Sequence, residues 1–464
     1  MVEMVSVASF RRKREWVQNV EHEESAMKVS SVAARDLDRL KELSEGFRTG
    51  RLSLRDYLDR LKARFEEREP HVKAFLPEKA DRFERLRHEV SALESRFRDP
   101  ASRPPLYGIP FGVKDIFHVE GFPTCAGSRI PPEVLHGPEA TSVSILKSAG
   151  ALVLGKTVTT EFAYRVPGPT RNPHRLDHTP GGSSSGSAAA VAAGLCPLAL
   201  GTQTIGSVVR PASFCGVVGF KPSYGRISTD GVIPLAFSLD HVGFFTADIE
   251  GAGLVASVLC EGWDQRPGLS RPTLGIPEGP YLNKASEEGL SHFQRTCSKL
   301  SKAGFEIRSV HMFKDFEGII ERHKTLEAVE AAQVHRVWFS AYSELYHDET
   351  LELITKGQKV NVHVLEACRA GREKLRQEIV GIMDQNGLSA LLAPAAVGPA
   401  PSGLHYTGDP VMNLPWTHAG LPAISLPSGM NPEGLPLGLQ VIARWMDDEA
   451  LLGWARQIQG FIES

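Results

Sequence analysis

The chain has 464 residues, 42% of them hydrophobic and 23% charged, a balance that suits a large buried core and argues against a disordered chain. Its formal net charge of −3 lacks the basic excess of a broad nucleic-acid footprint, so no nucleic acid is expected as a partner. The six cysteines (Cys125, Cys196, Cys215, Cys260, Cys297 and Cys368) contain no Cys-x-x-Cys pair, which points to reduced core thiols in a cytoplasmic protein and not to a zinc or disulfide framework.

Residues 1–30 carry Arg11-Arg12-Lys13-Arg14, followed at once by Glu15, Glu21, Glu23 and Glu24. They are expected to form a solvated, poorly ordered leader, with no apolar signal-peptide core behind the basic cluster. From 31 to 98 the pattern is helical. Leu37, Leu40 and Leu43 recur at helical spacing, and Ser53 with Asp56 makes a capping-box-like start to the run 54–68. A short strand is expected at 71–76. Strands at 107–113 and 151–155 flank a helix at 142–148. A helix of small residues follows at 187–194, then strands at 197–200 and 217–220, with 208–215 a further candidate helix. Residues 273–310 read as strand, helix, strand, and short strands return at 390–392, 423–426 and 438–442. This alternation predicts an α/β fold with helices on both faces of a sheet. Between them, 313–386 is charged and mostly helical, a segment expected to cover the sheet. The longest apolar stretch, 188–201, is broken by Gly194 and Pro197, so no membrane span is expected. Without repeats or long linkers, 31–464 reads as a single domain.

Three polar residues stand out in this apolar frame. Lys114 closes Gly108-Ile109-Pro110-Phe111-Gly112-Val113, Ser183 sits in Gly-Gly-Ser-Ser-Ser-Gly-Ser at 181–187, and Ser207 closes Gly-Thr-Gln-Thr-Ile-Gly-Ser at 201–207. Two hydroxyls and an amine can supply a nucleophile, a relay and a base for amide cleavage with no histidine, metal or cofactor. A lysine serves as base only when neutral, and burial behind the apolar run 109–113 favours that form. Gly181, Gly182 and Gly186 permit a tight turn that presents Ser183 at a helix entrance. A flexible linker would not run straight into a helix of alanines, and the lysine-serine ending of a phosphate-binding loop is missing. The backbone of Thr204, Ile205, Gly206 and Ser207, just ahead of the candidate helix, can supply an oxyanion hole. His118, His174, His178 and His241 flank these motifs without metal-ligand spacing. Lys156 and Lys221 are rival bases. Tyr164, Trp416 and Asn413 are candidates for the cleft wall, core packing being the stronger expectation for Trp416.

Taken together, the run 181–226, the lysine motif at 108–115 and the stretches 156–163 and 408–417 resemble the amidase signature family over about residues 35–460. The resemblance implies a twisted mixed sheet between helical layers. It implies Ser207 as acylated nucleophile, Ser183 as bridging serine after a cis peptide bond, and Lys114 as base. It also implies a homodimer. Two departures stand out: the family usually has glycine where Ile205 stands, and many relatives have aspartate where Gln203 stands. Gln203 and Arg210 are expected to contact substrate, Arg210 through a carboxylate, in a pattern similar to that of malonamidases; for Arg210 the alternative of tying down the loop through backbone carbonyls stays open. The expected substrate is a small amide acid or ureido acid. Two other readings stay open: the glutamine-hydrolysing component of a tRNA-dependent amidotransferase (its A subunit), and an amidase-like binding protein with impaired turnover.

Overall fold

The computed structural model describes residues 37–264 and 269–462, so the leader expected at 1–30 lies outside the described residues. Ten strands among them form one mixed sheet. They are β1 (Pro110–Lys114), β2 (Leu152–Thr157), β3 (Leu198–Gln203), β4 (Val218–Lys221), β5 (His241–Thr246), β6 (Leu274–Glu278), β7 (Ile307–His311), β8 (Ala390–Pro394), β9 (Ala423–Met430) and β10 (Pro436–Ile442). Their order is β2-β1-β3-β5-β4-β9-β10-β8-β6-β7. The strands β2, β1 and β3 run parallel, as do β8, β6 and β7, and antiparallel pairings join the two groups through β5, β4, β9 and β10. Successive strand residues point to opposite faces, yet every residue of β1 to β5 is buried. Both faces of this half of the sheet are therefore covered, which is why these strands read as near-continuous apolar runs.

The helix Leu54–Val72 begins where the capping pattern places it: the Asp56 N–H donates to Ser53 Oγ at 3.2 Å. It runs on through Pro70, so the strand expected at 71–76 is not formed. Only a single bridge, Phe75 to Thr157, joins that segment to the sheet edge. The segment 313–386 contains the helices Phe316–Val334, Arg336–Tyr342, Asp348–Gln358 and Val362–Gln385. It is tied to the sheet end by Glu161, which accepts from the Thr350 hydroxyl at 2.5 Å and the His347 N–H at 3.3 Å. All six cysteines are free thiols. Among the described residues no helix is long and apolar enough to cross a membrane.

Candidate active site

Because β1 and β3 are parallel neighbours, their carboxyl ends open on the same side of the sheet. Lys114 ends β1 and Thr202 stands one residue before the end of β3. Lys114 Nζ lies 2.7 Å from Ser183 Oγ and 2.8 Å from Thr202 Oγ1. The lysine is wholly buried, and desolvation pulls its pKa down to about 7, against the opposing pull of the Asp240 carboxylate.

Ser183 reaches this amine from the glycine-rich turn. The Gly182–Ser183 peptide is cis, as the resemblance implied, and the helix Ser185–Ala192 starts two residues on. Gly186 lets that helix sit against the end of β2: a Cβ there would lie 2.2 Å from Ala74 O and 2.4 Å from Val158 N. A side chain would push the helix start, and Ser183 with it, away from Lys114.

Ser207 lies between β3 and the helix Val209–Cys215, 8% exposed, on the wall of a cleft of about 590 Å³. Its hydroxyl makes no hydrogen bond to Ser183, so the continuous chain expected from the sequence is present in its first link only. Catalytic hydrogen bonds of this kind often shorten only once substrate aligns the groups. Among the described residues, no hydrogen bond takes the backbone N–H of Ile205, Gly206 or Ser207, whereas those of Val208 and Val209 go to Gln203 Oε1 at 2.8 and 2.9 Å. The N–H groups of Ser207 and of the two residues before it are thus left without a protein acceptor. Ile205 holds a negative φ, which a β-branched residue tolerates, and its side chain packs, partly buried, against the hydrophobic cluster that includes Val411 and Leu414.

Gln203 and Arg210 turn inward. Gln203 is fully buried, and its Nε2 donates to Thr417 Oγ1 at 2.9 Å. Its amide therefore braces the turn 204–209 from behind, and no part of it faces the cleft. Arg210 does line the cleft, but its Nη1 donates to Gly408 O and its Nη2 to Gly182 O, the latter at 2.6 Å. That arrangement clamps the Ser183 turn to the 407–408 loop. Burial pulls the guanidinium pKa down to about 10.

An amidase family profile matches residues 56–452. The chain belongs to the amidase signature family. The A subunit of glutamyl-tRNA(Gln) amidotransferase from Synechococcus sp. (strain WH7803) is 31% identical over 472 residues, covering 90% of this chain and 96% of the relative. Its counterpart from Prochlorococcus marinus (strain MIT 9313) is 32% identical over 467 residues, covering 89% and 95%. Among solved structures, a crystal structure of an amidase has a TM-score of 0.82 at 32% identity, covering 90% of this chain and 99% of that one. The peptide amidase of Stenotrophomonas maltophilia has a TM-score of 0.77 at 25% identity, covering 92% and 97%. The ten-stranded mixed sheet is thus an amidase fold, and its chemistry is that of amide C–N bonds.

Within this amidase frame the rival lysines are engaged elsewhere. Lys156 pairs with buried Asp115 at 2.7 Å. Lys221 donates to Pro222 O at 3.1 Å and Leu421 O at 2.5 Å. Tyr164 lines the cleft. Trp416 is core, its Nε1 donating to Met412 O at 3.1 Å. Asn413 is buried behind Gly206. The four histidines contact the protein's own groups. His241 Nδ1 lies 2.6 Å from Leu239 O, His174 Nε2 3.0 Å from Cys215 O, His118 Nδ1 3.2 Å from Thr124 Oγ1 and His178 Nδ1 2.9 Å from Asp177 Oδ1. Among the described residues no group of three or more His, Cys, Asp or Glu side chains is placed to hold a metal ion.

Sequence reasoning missed Thr202 and Asp240. The Asp240 carboxylate accepts from the N–H groups of Leu235 at 2.8 Å and Ala236 at 3.1 Å, and burial pushes its pKa up to about 6. A lone aspartate ahead of β5 offers no local signal for this role. Only the β3–β5 pairing brings it to the site.

Proposed function

We propose that the chain is an amidohydrolase that cleaves a carboxamide C–N bond through an acyl-enzyme on Ser207. Lys114, neutral in a large fraction of molecules near pH 7, takes the Ser183 proton, while Ser183 takes that of Ser207. The freed Ser207 oxygen attacks the amide carbonyl carbon. The resulting oxyanion faces the N–H groups of Ile205, Gly206 and Ser207, an arrangement that typically contributes roughly a hundred- to a thousandfold in rate. The proton then returns along the same path to the leaving nitrogen, the C–N bond breaks, and ammonia or an amine departs. Water repeats the sequence on the ester, regenerating Ser207.

The observation that carries this reading is the 2.7 Å contact between the wholly buried Lys114 amine and the Ser183 hydroxyl, with Ser207 on the wall of a cleft that is also lined by Arg210, the donor to Gly182 O. The substrate proposed is a small carboxylated or ureido amide, supported by the exposed, cleft-lining Arg165 and Lys324. The test is ammonia release by the purified chain from malonamate-like, ureido, aryl and fatty amides, with Ser207→Ala as control. Turnover lost in that variant supports the assignment, and unchanged turnover overturns it.

The identity of 31–32% to the amidotransferase relatives supports a second reading. In it the same residues release ammonia from glutamine for partner proteins acting on glutamyl-tRNA. Hydrolysis of small amides by the chain alone favours the first reading. Glutamine hydrolysis that appears only with partner proteins favours the second.

A further inference from the structure

Glu327 is a buried cleft residue whose chemistry the relay leaves unused. It belongs to the helix Phe316–Val334 and lines the same cleft as Ser207, yet it is only 2% exposed. Other buried carboxylates here have donors. Glu330, one turn on, accepts from Ser238 N at 2.8 Å and from Arg369 at 3.4 Å, and Glu161 accepts from Thr350 and His347. No hydrogen bond or ion pair from the described residues reaches the Glu327 carboxylate. Burial above all pushes its pKa up to about 7. A carboxylate of a largely buried residue in a cleft wall, with no protein donor, is complementary to a ligand that brings one.

The surroundings select the donor. Arg165, Lys324 and Lys356 bear electrostatically on Glu327, against a single opposing carboxylate, that of Asp240. A substrate ammonium would meet the repulsion of three cations offset by one anion, whereas a neutral N–H group would not. A carboxylate presents two acceptor oxygens, which match two parallel N–H groups on one planar ligand.

We infer that Glu327 is a substrate-reading residue whose carboxylate accepts the paired N–H groups of a neutral ureido group carried on the acyl side of the scissile amide. This rests on the amidohydrolase reading above and narrows it. The preferred substrates are amides with a terminal carbamoyl-amino group, not simple alkyl or aryl amides.

A matched pair of amides tests the assignment. N-carbamoylglycinamide and 4-oxopentanamide share size, the distal carbonyl and the scissile primary amide, but only the first carries the N–H groups. The unmodified enzyme is expected to favour the first in kcat/KM by roughly 10- to 100-fold, the range of hydrogen bonds to a charged partner. Glu327→Leu should bring that ratio to about 1–3, and Glu327→Gln, which keeps one acceptor, should leave it between the two. Calorimetric binding of both compounds to Ser207→Ala, with and without Glu327→Leu, reads the same contrast without turnover. A ratio near one in the unmodified enzyme, or a ratio that survives Glu327→Leu, overturns the inference. If no amide is hydrolysed but the binding contrast appears and is lost with Glu327→Leu, the amidohydrolase reading fails and Glu327 keeps its role. If neither contrast appears, the inference is overturned whatever the turnover.

Discussion

The Thr204 hydroxyl donates to the Asp240 carboxylate at 2.5 Å, and that same carboxylate raises the pKa of Lys114. One buried group thus links the loop that holds Ser207 to the proposed base. Asp240→Asn removes the negative charge but keeps an acceptor for Leu235 and Ala236. Loss of that charge makes the Lys114 ammonium harder to keep, so its pKa moves further below about 7. The acid limb of kcat/KM should therefore shift to lower pH, while the plateau drops because Thr204 loses its charged acceptor. A pH–rate profile reads both effects. A limb that stays in place, or moves upward, excludes the coupling.

Lys114 itself predicts the shape of that profile. Only the neutral amine can take a proton, and burial lowers the pKa to about 7. Below that value kcat/KM should rise by about tenfold per pH unit, then level off above it. Lys114→Ala should cost roughly a hundred- to ten-thousandfold in kcat and abolish the limb. Normal acylation by that variant, seen as a burst of product, would transfer the role to another group.

The contrast between Lys114 and Asp240 shows what the sequence could carry. Lys114 and the two serines sit in motifs whose glycines and apolar runs are local, so the chemistry proposed for them can be read residue by residue. Thr202 and Asp240 acquire roles only through the pairing of β3 with β1 and β5, which no local pattern encodes. β5 itself is not legible in the sequence, because its residues are buried on both faces and show no alternation. Gln203 and Arg210 are legible as polar residues beside Ser207, but their partners, Thr417 and Gly408, lie about two hundred positions away. Residues 71–76 have the composition of a strand. The preceding helix runs through them to Val72, and the sheet edge offers only one bridge at Phe75.

Arg210 holds two main-chain carbonyls, Gly182 O on the Ser183 turn and Gly408 O on the opposite loop. Arg210→Ala leaves both without their donor in a buried setting, at a cost of about 1–3 kcal/mol. Activity on carboxylated and neutral amides should fall together, and the thermal midpoint should fall as well. A selective loss on the carboxylated amides with an unchanged midpoint would instead assign Arg210 to substrate recognition.

Ile205 occupies its turn at negative φ, held by the Thr417 hydroxyl on its carbonyl at 2.6 Å. Glycine is not required there. Ile205→Gly removes half-buried packing against the cluster that includes Val411 and Leu414 and loosens the unfolded chain, which should cost about 1–3 kcal/mol of stability. Amidase activity should fall several-fold, because the N–H donors beside Ser207 lose their fixed aim. A large gain in general amidase activity would show that Ile205 obstructs a site built around glycine.

Gly206 is where the proposed oxyanion loop has no room to adjust. A Cβ at that position would lie 2.3 Å from Asn413 Oδ1 and 3.0 Å from Pro410 Cβ. Asn413 cannot swing aside cheaply, because its Nδ2 donates to Ala395 O at 2.9 Å and to Gln440 Oε1 at 3.0 Å. Gly206→Ala must therefore displace the loop, and with it the N–H groups flanking Ser207. Misplacing such donors by even about 1 Å costs on the order of a hundredfold in kcat. The loss should appear in kcat more than in KM, since the donors act on the developing oxyanion and not on bound substrate. Pairing the change with Asn413→Ala removes the obstructing oxygen and should restore part of the lost rate. If Gly206→Ala alone retains full activity, the loop is not the oxyanion binder. If the double variant recovers nothing, contact with Asn413 is not the cause of the loss.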